Sequence, residues 1–382
     1  MKQYSYRPMA LAVATVLGGI WTPATYAALV VSQTAAFTMS SGTVSDSCGP
    51  LNAPNCPESN SPSTPLSLQS TTNFNQFSAT TGILTGVKIN LASTRSQTVS
   101  GAVTDPQTRL GADLGTIFTA SGTSGASVSA VGADAQAVST VTHSRSSTSG
   151  KNAIAANTIV TPTSATLTVA AASLDAYVGA GTTALTRKLS DVRATATFVD
   201  GTKTKTSSTA DYSVSWGGDI TVDYEYLLHT LAAFDPAGAH TVLDINFGTH
   251  YVGASVADQT FRIFNAIGVN GVGLDLDLID GPTSPFGTDL ALFGDLVAGG
   301  SNLFNISFDT SAAGVFGSTI MLKLSDADVG AASSRFDTYG LRVNLSGTVK
   351  DLGTGNQVPE PNTLALVGLG LTALVLRRRR LR

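Results

Sequence analysis

Ile220-Thr221-Val222-Asp223-Tyr224-Glu225-Tyr226 alternates without a break between apolar or aromatic side chains and polar ones. Successive side chains of an extended strand point to opposite faces, so this register buries one face and wets the other. The same mark appears 130 residues earlier, where Val87, Ile89 and Leu91 alternate with Lys88 and Asn90 inside Gly82–Leu91, just after Phe74-Asn75-Gln76-Phe77. Together they frame residues 28–230 as one all-β region with long, small-residue loops. Ala28–Phe37 is a candidate first strand, and Ser59–Ser70 reads as a Ser/Pro-rich loop. Residues 121–165 are low in complexity, with Val128, Val131, Val138 and Val141 spread through them; they are weak strands or a long excursion.

Residues 231–350 form a second β unit. Strand candidates are Val242–Phe247, Thr260–Asn265, Leu274–Ile279, Leu303–Asp309, Thr319–Ser325 and Leu341–Val349, most of them alternating. Turn signals at Asn270-Gly271, Asp280-Gly281-Pro282 and Gly299-Gly300 separate them. Short strands at this spacing point to an immunoglobulin-like sandwich. Composition agrees: charged residues are 13% of the 382, and the helix formers Glu, Lys and Gln are scarce beside Thr and Val. The expected class is therefore all-β, two sandwich-like domains, each with enough chain for a core.

Both ends have a different character. Met1–Ala27 carries Lys2 and Arg7, then apolar Met9–Ile20, then Thr25-Tyr26-Ala27, which reads as a secretory signal peptide cut after Ala27, with Ala28 as the alternative. At the other end Val358-Pro359-Glu360-Pro361 precedes the uncharged Asn362–Leu376 and the run Arg377-Arg378-Arg379-Arg380. As a helix, Asn362–Leu376 spans roughly 20–23 Å, short against a hydrocarbon layer of about 30 Å. The arginines stop transfer and stay cytoplasmic, while the two prolines keep the preceding tripeptide extended and reachable from the outer face. The order Pro-Glu-Pro, short apolar helix, arginine cluster resembles the PEP-CTERM sorting signal of Gram-negative bacteria. That resemblance implies recognition and processing by an exosortase at Pro359, Glu360, Pro361 and Arg377 to Arg380, and only a transient stay in the membrane. The alternative for such a tail is an ordinary anchor that remains uncut.

Export fixes two further readings. Of 22 Lys and Arg, two lie in residues 1–27 and five in the tail, leaving 15; of 26 Asp and Glu only Glu360 is lost, leaving 25, so the region between carries about −10. That excludes the basic footprint of nucleic-acid binding and suits a chain kept apart from its neighbours by self-repulsion. Cys48 and Cys56 bracket a Pro-containing loop, and in an exported chain they read as a disulfide. Asp46, Asn52 and Asn55 beside them supply no metal-ligand set.

Phe77, Gly82-Ile83-Leu84-Thr85-Gly86-Val87 and the Ile220–Tyr226 strand resemble the choice-of-anchor E domain, although Phe77-Ser78 stands where that family has Phe-Asp. In the second unit, Phe247-Gly248, Val252-Gly253, Thr260-Phe261-Arg262-Ile263-Phe264-Asn265, Phe304-Asn305-Ile306-Ser307-Phe308 and Val343-Asn344-Leu345-Ser346-Gly347 resemble Ig-like domains of the choice-of-anchor D and ASH type. The first resemblance brings no known activity, and the second implies a scaffolding or adhesion module with no catalytic residue.

Four constellations are candidate sites. Asp275 and Asp277, on one strand face about 7 Å apart with Asp280 in the following turn, form a weak calcium pattern, echoed by Asp326 and Asp328. The ordinary reading is a solvated strand face. Trp216 with Tyr212, Tyr224 and Tyr226 is a candidate sugar-stacking platform, or else core filling. His143, His229, His240 and His250 are scattered, with no His-Glu-x-x-His or Gly-x-Ser-x-Gly motif. Gly268–Gly273 has the wrong glycine spacing for a dinucleotide loop.

The chain thus reads as a signal peptide (1–27), a choice-of-anchor E-like β domain (28–230), an Ig-like sandwich (231–350), a linker (351–355) and a sorting signal (356–382) ending in a short transmembrane helix. The expected protein is exported and non-enzymatic, without cofactor or nucleic-acid partner. It is handed to an exosortase and placed at the cell surface or beyond it, with exopolysaccharide or biofilm matrix as its surroundings. A secreted glycan- or calcium-binding adhesion module is the alternative.

Overall fold

The computed structural model describes residues 28–48, 64–104, 118–146, 153–198 and 207–351. Strands β1 (Leu29–Cys48), β2 (Leu66–Asn75), β3 (Ile83–Thr104), β4 (Phe118–Ala130), β5 (Ala133–Ser146), β6 (Ala153–Thr168), β7 (Thr182–Phe198) and β8 (Ser207–Leu227) build a first sandwich. One of its sheets runs β1-β8-β3-β6 and the other β2-β7-β4-β5. Strands β9 (Ala232–Ala233), β10 (Val242–Tyr251), β11 (Gln259–Asn265), β12 (Leu274–Asp280), β13 (Phe286–Thr288), β14 (Phe293–Leu296), β15 (Ser301–Phe308), β16 (Gly314–Asp326) and β17 (Tyr339–Lys350) build a second. There a sheet ordered β10-β17-β16-β12-β14 faces one ordered β13-β15-β11-β9, and β10 pairs with β17 in parallel.

Alternation makes these strands. Ile220, Val222 and Tyr224 of β8 are fully buried beside Val87, Ile89 and Leu91 of β3, in a ladder running from Ile83 opposite Leu227 to Thr104 opposite Ser207. The solvent faces are rich in β-branched and hydroxylic side chains that bond across strands, Thr34 to Thr221 at 2.9 Å and Thr98 to Thr158 at 2.7 Å. Such side chains suit a pleated surface wetted on one side. At Gly122 a Cβ would lie 1.9 Å from Cδ2 of Tyr212, so the absence of a side chain lets that ring cross between the sheets. The second core is aromatic: Phe247, Phe286 and Phe308 lie within 5.9 Å of one another centroid to centroid.

Residues 66–70, expected within a loop, begin β2, because Leu66 and Leu68 pack against the first core. The low-complexity stretch resolves toward strands: β4, β5 and β6 occupy most of it. The six candidates of the second unit all form, and β9, β13 and β14 were missed because two to four residues carry no readable period. The signal segment, Cys56 and the sorting tail lie outside the described residues, and the Cys48 pairing with them. Among the described residues no helix is long and apolar enough to cross a membrane.

The sandwiches meet along a joint. The second contributes a loop, residues 327–336, that adds to the start of β3: Ala331 N–H donates to the Leu84 carbonyl at 2.8 Å and Leu84 N–H to Ser334 Oγ at 3.1 Å. Gly330 turns here with φ +63°, and a Cβ on it would lie 2.3 Å from the Leu84 carbonyl oxygen. Ile83, Val272 and Ala327 bury an apolar cluster beneath it.

Candidate functional site

Asp275 and Asp277 alternate with the buried Leu274 and Leu276 at the start of β12. A bulge between Leu276 and Leu278 then breaks the two-residue period and exposes Leu278 beside Asp277, while Asp275 is half buried. Asp275 Oδ1 accepts the Asp295 N–H at 2.6 Å. Burial is the main reason its carboxyl titrates above the usual range; the Asp295 N–H opposes it, and the charges of Asp277, Asp295 and Asp328 add to it. Asp280, opposite Met321 at the strand end, is exposed. Among the described residues no group of three His, Cys, Asp or Glu is placed to hold a metal ion.

Asp326 and Asp328 are engaged elsewhere. Asp326 is 3% exposed and accepts five hydrogen bonds: Thr230 N–H (2.9 Å), Thr230 Oγ1 (3.0 Å) and Tyr339 OH (3.2 Å) on Oδ1, His229 Nδ1 (2.8 Å) and Phe336 N–H (2.8 Å) on Oδ2. Burial alone would raise this carboxyl, but these donors outweigh it and hold it below the ordinary carboxylate value. Asp328 is paired with Arg335 at 2.6 Å. This hub joins residues 97 apart, and no local motif announces it.

The aromatic platform is interior. Trp216, Tyr212 and Tyr224 are wholly buried, so their rings present no stacking face, and Tyr226 packs against the same core. Trp216 meets Phe37 edge to face at 5.2 Å and donates to Ser93 Oγ at 2.9 Å. Burial raises the Tyr224 hydroxyl to about 12.

Around Trp216 the core turns polar. Arg95, aligned with Trp216 across the β3–β8 ladder, is fully buried and donates to the Ser124 carbonyl at 3.0 Å and to Ser139. Tyr212 OH bridges Gln97 Oε1 (2.8 Å) and Ser124 Oγ (2.9 Å). Arg187, from the opposite sheet, reaches Ser70 Oγ at 3.1 Å and lies over Phe37. Burial lowers the pKa of both guanidinium groups. Neither arginine was visible as interior in the sequence, although each sits on the inward period of its strand.

Three histidines are held locally: His240 by Asp235 (2.9 Å), His250 by the Phe247 carbonyl (2.7 Å) and His143 by Asn157 (3.0 Å). His229 differs, standing between Asp326 and the Ala79 carbonyl. Both of its nitrogens are engaged, one by a carboxylate and one by a carbonyl.

Residues 357–380 match the PEP-CTERM protein-sorting motif. The motif marks export across the membrane and processing by an exosortase, with placement at the surface, and the tail Pro359 to Arg380 falls inside it. No curated protein matches the sequence. Among solved structures, an ASH / PapD-like domain of human CEP192 is similar over 28% of this chain and 81% of its own, at 15% identity and a TM-score of 0.20. WR4, a Caenorhabditis elegans MSP family member, is similar over 26% of this chain and 92% of its own, at 12% identity and 0.20. VesB protease of Vibrio cholerae is similar over 33% of this chain and 37% of its own, at 14% identity and 0.20. Scores of this size carry no argument about fold or activity.

Proposed function

We propose that the mature chain is a non-enzymatic structural protein of the cell envelope or extracellular matrix, delivered by its exosortase-processed tail and associated with exopolysaccharide or biofilm. The match of residues 357–380 to the sorting motif carries the delivery part. The remainder rests on the surface chemistry. About ten net negative charges on the region between the end segments keep copies soluble outside the cell. The sheets of the first sandwich face solvent with Ser, Thr, Asn and Asp in hydrogen-bonded rows, such as Ser32–Asp223–Asn90–Thr166. Hydroxyl and amide rows of this kind match the hydrogen-bonding groups of a hydrated polysaccharide. In this reading the first sandwich is a choice-of-anchor E-like module and the second an Ig-like module of the choice-of-anchor D or ASH type, with membrane contact limited to the interval before processing. Pairing of Cys48 with Cys56 and removal of residues 1–27 after Ala27 belong to the same proposal.

The test compares a producing strain with its exosortase-deficient derivative, tracking the protein by fractionation. The expected result is surface and matrix protein in the first and membrane-retained protein in the second. Identical fractionation in both would remove the proposal. Recovery of the surface form without any enrichment in the polysaccharide fraction would remove its matrix part alone.

A further inference from the structure

His229 belongs to the connector between β8 and β9, where the chain passes from one sandwich to the other. Its Nδ1 lies 2.8 Å from Asp326 Oδ2 in the second sandwich, and its Nε2 lies 2.7 Å from the carbonyl oxygen of Ala79 in the 78–81 turn of the first. A carbonyl has no proton to give. The Asp326 carboxylate already receives four other donors and is held ionised, so it has none either. Two acceptors facing two ring nitrogens require an N–H on each, and the ring is therefore an imidazolium. Phe336 stacks on it with centroids 3.9 Å apart and planes 5° from parallel, a cation–π arrangement that also shields one ring face.

We propose that His229 is a proton-operated bridge between the two sandwiches: charged, it ties the Ala79 turn to Asp326, and loss of its Nε2 proton unties that turn.

Which proton leaves follows from the partners. The Nδ1 proton faces a full negative charge and the Nε2 proton only a carbonyl dipole, so the neutral ring keeps Nδ1–H. The Nε2 lone pair is then left against the Ala79 oxygen at a distance that was attractive only with a proton between them. The charged and titratable groups around the ring are few. β16 presents Asp326, β17 presents Tyr339 through Asp326, and the 327–336 loop presents Phe336 with the Arg335–Asp328 pair beside it. Asp175, which accepts Ser333 N–H at 2.9 Å and Ser333 Oγ at 2.7 Å, lies within reach of the Arg335 charge, and the 78–81 turn carries no ionisable side chain. Burial is the largest influence on His229 and opposes the charge, but the bonds to Asp326 and Ala79 and the Asp326 charge together outweigh it and leave the pKa above 6.5. The bridge is thus complete below pH 6.5 and is lost as pH rises through the folded-state pKa. The Ala331–Leu84 and Leu84–Ser334 bonds have no group titrating in that range, so the response is confined to the turn.

The test follows the histidine side-chain nitrogens of the exported protein by long-range proton–nitrogen NMR from pH 5 to 9. Alongside it, amide exchange is corrected for intrinsic rate at Thr81, whose N–H donates to Ser78 within the turn, and at Ala331 as the reference. Expected are two protonated nitrogens at pH 6, loss of Nε2–H first, and Thr81 protection falling about fivefold across the same transition, the worth of one net hydrogen bond. Ala331 protection should stay level. His229→Gln should make Thr81 protection independent of pH. A neutral ring at pH 6, loss of Nδ1–H first, or Thr81 protection that stays flat through the titration would each overturn the proposal, and all three are read on the unsubstituted protein.

Discussion

The guanidinium carbon of Arg187 stands 4.5 Å from the ring centroid of Phe37, inside the first sandwich. Both residues are buried, and among the described residues no acidic side chain shares an ion pair with Arg187. The ring face offsets part of the desolvation of the charge, and burial depresses the guanidinium pKa for the remainder. Replacing charge by volume should therefore be tolerated where removing volume is not. Arg187→Met is expected to hold stability within about 1 kcal/mol of the parent or to raise it, and Arg187→Ala to lower it by about 2–4 kcal/mol through the cavity left behind. Urea denaturation of the two variants checks this; equal losses in both would contradict it.

Gly122 tests the crossing of Tyr212 between the sheets. A methyl group at that position has no room, since the nearest ring atoms lie 1.9–2.5 Å away. Gly122→Ala is expected to cost about 1–3 kcal/mol by overpacking, and Tyr212→Val in the same chain should recover part of it. A thermal melt of the single variant that matches the parent would count against the packing described.

Trp216 is the sole tryptophan once residues 1–27 are removed, Trp21 being the other. With the ring wholly buried, its emission is expected to be blue-shifted, resistant to acrylamide and unchanged by the producer's polysaccharide. Quenching as in free tryptophan, or a spectral shift on adding the polysaccharide, would restore the stacking platform.

One buried pair should contribute to the pH dependence of stability with a sign fixed by its two shifts. Asp326 has a folded-state pKa below its unfolded value near 3.9, so its contribution is present above that pH and is lost as pH falls through the depressed value. His229 has a folded-state pKa above about 6.5, so its contribution is present below that pH and is lost as pH rises through the raised value. The pair therefore supports the fold most fully between about pH 4 and 6.5. A melting temperature that peaks in this window, and a flatter profile in Asp326→Asn, are the expected results of thermal scans from pH 3 to 9.

The class of fold was legible wherever a strand has one wet face. Ile220–Tyr226 and Val87–Leu91 announce themselves because burial on one side forces period two. β4 and β5 hid because Ser, Gly, Thr and Ala serve both faces there, and the apolar contrast that defines a period is weak. Leu278 breaks the expected alternation because a bulge shifts the register by one residue, and no residue type in Leu274–Asp280 marks it. Arg95 and Arg187 were hidden by their own charge: on an inward position each reads as a turn away from the core. The Asp326 hub and the His229 bridge are products of tertiary structure, joining positions 97 and 150 residues apart, and one sequence holds no trace of such distances.

The sorting reading rests on residues 357–380, and the mass of the mature chain tests it most directly. Intact-mass spectrometry of the protein recovered from the surface of an exosortase-bearing cell is expected to show a C-terminus near Pro359–Pro361, without Asn362–Leu376 or the arginines. A surface protein whose mass still includes Arg377 to Arg382 would contradict the account.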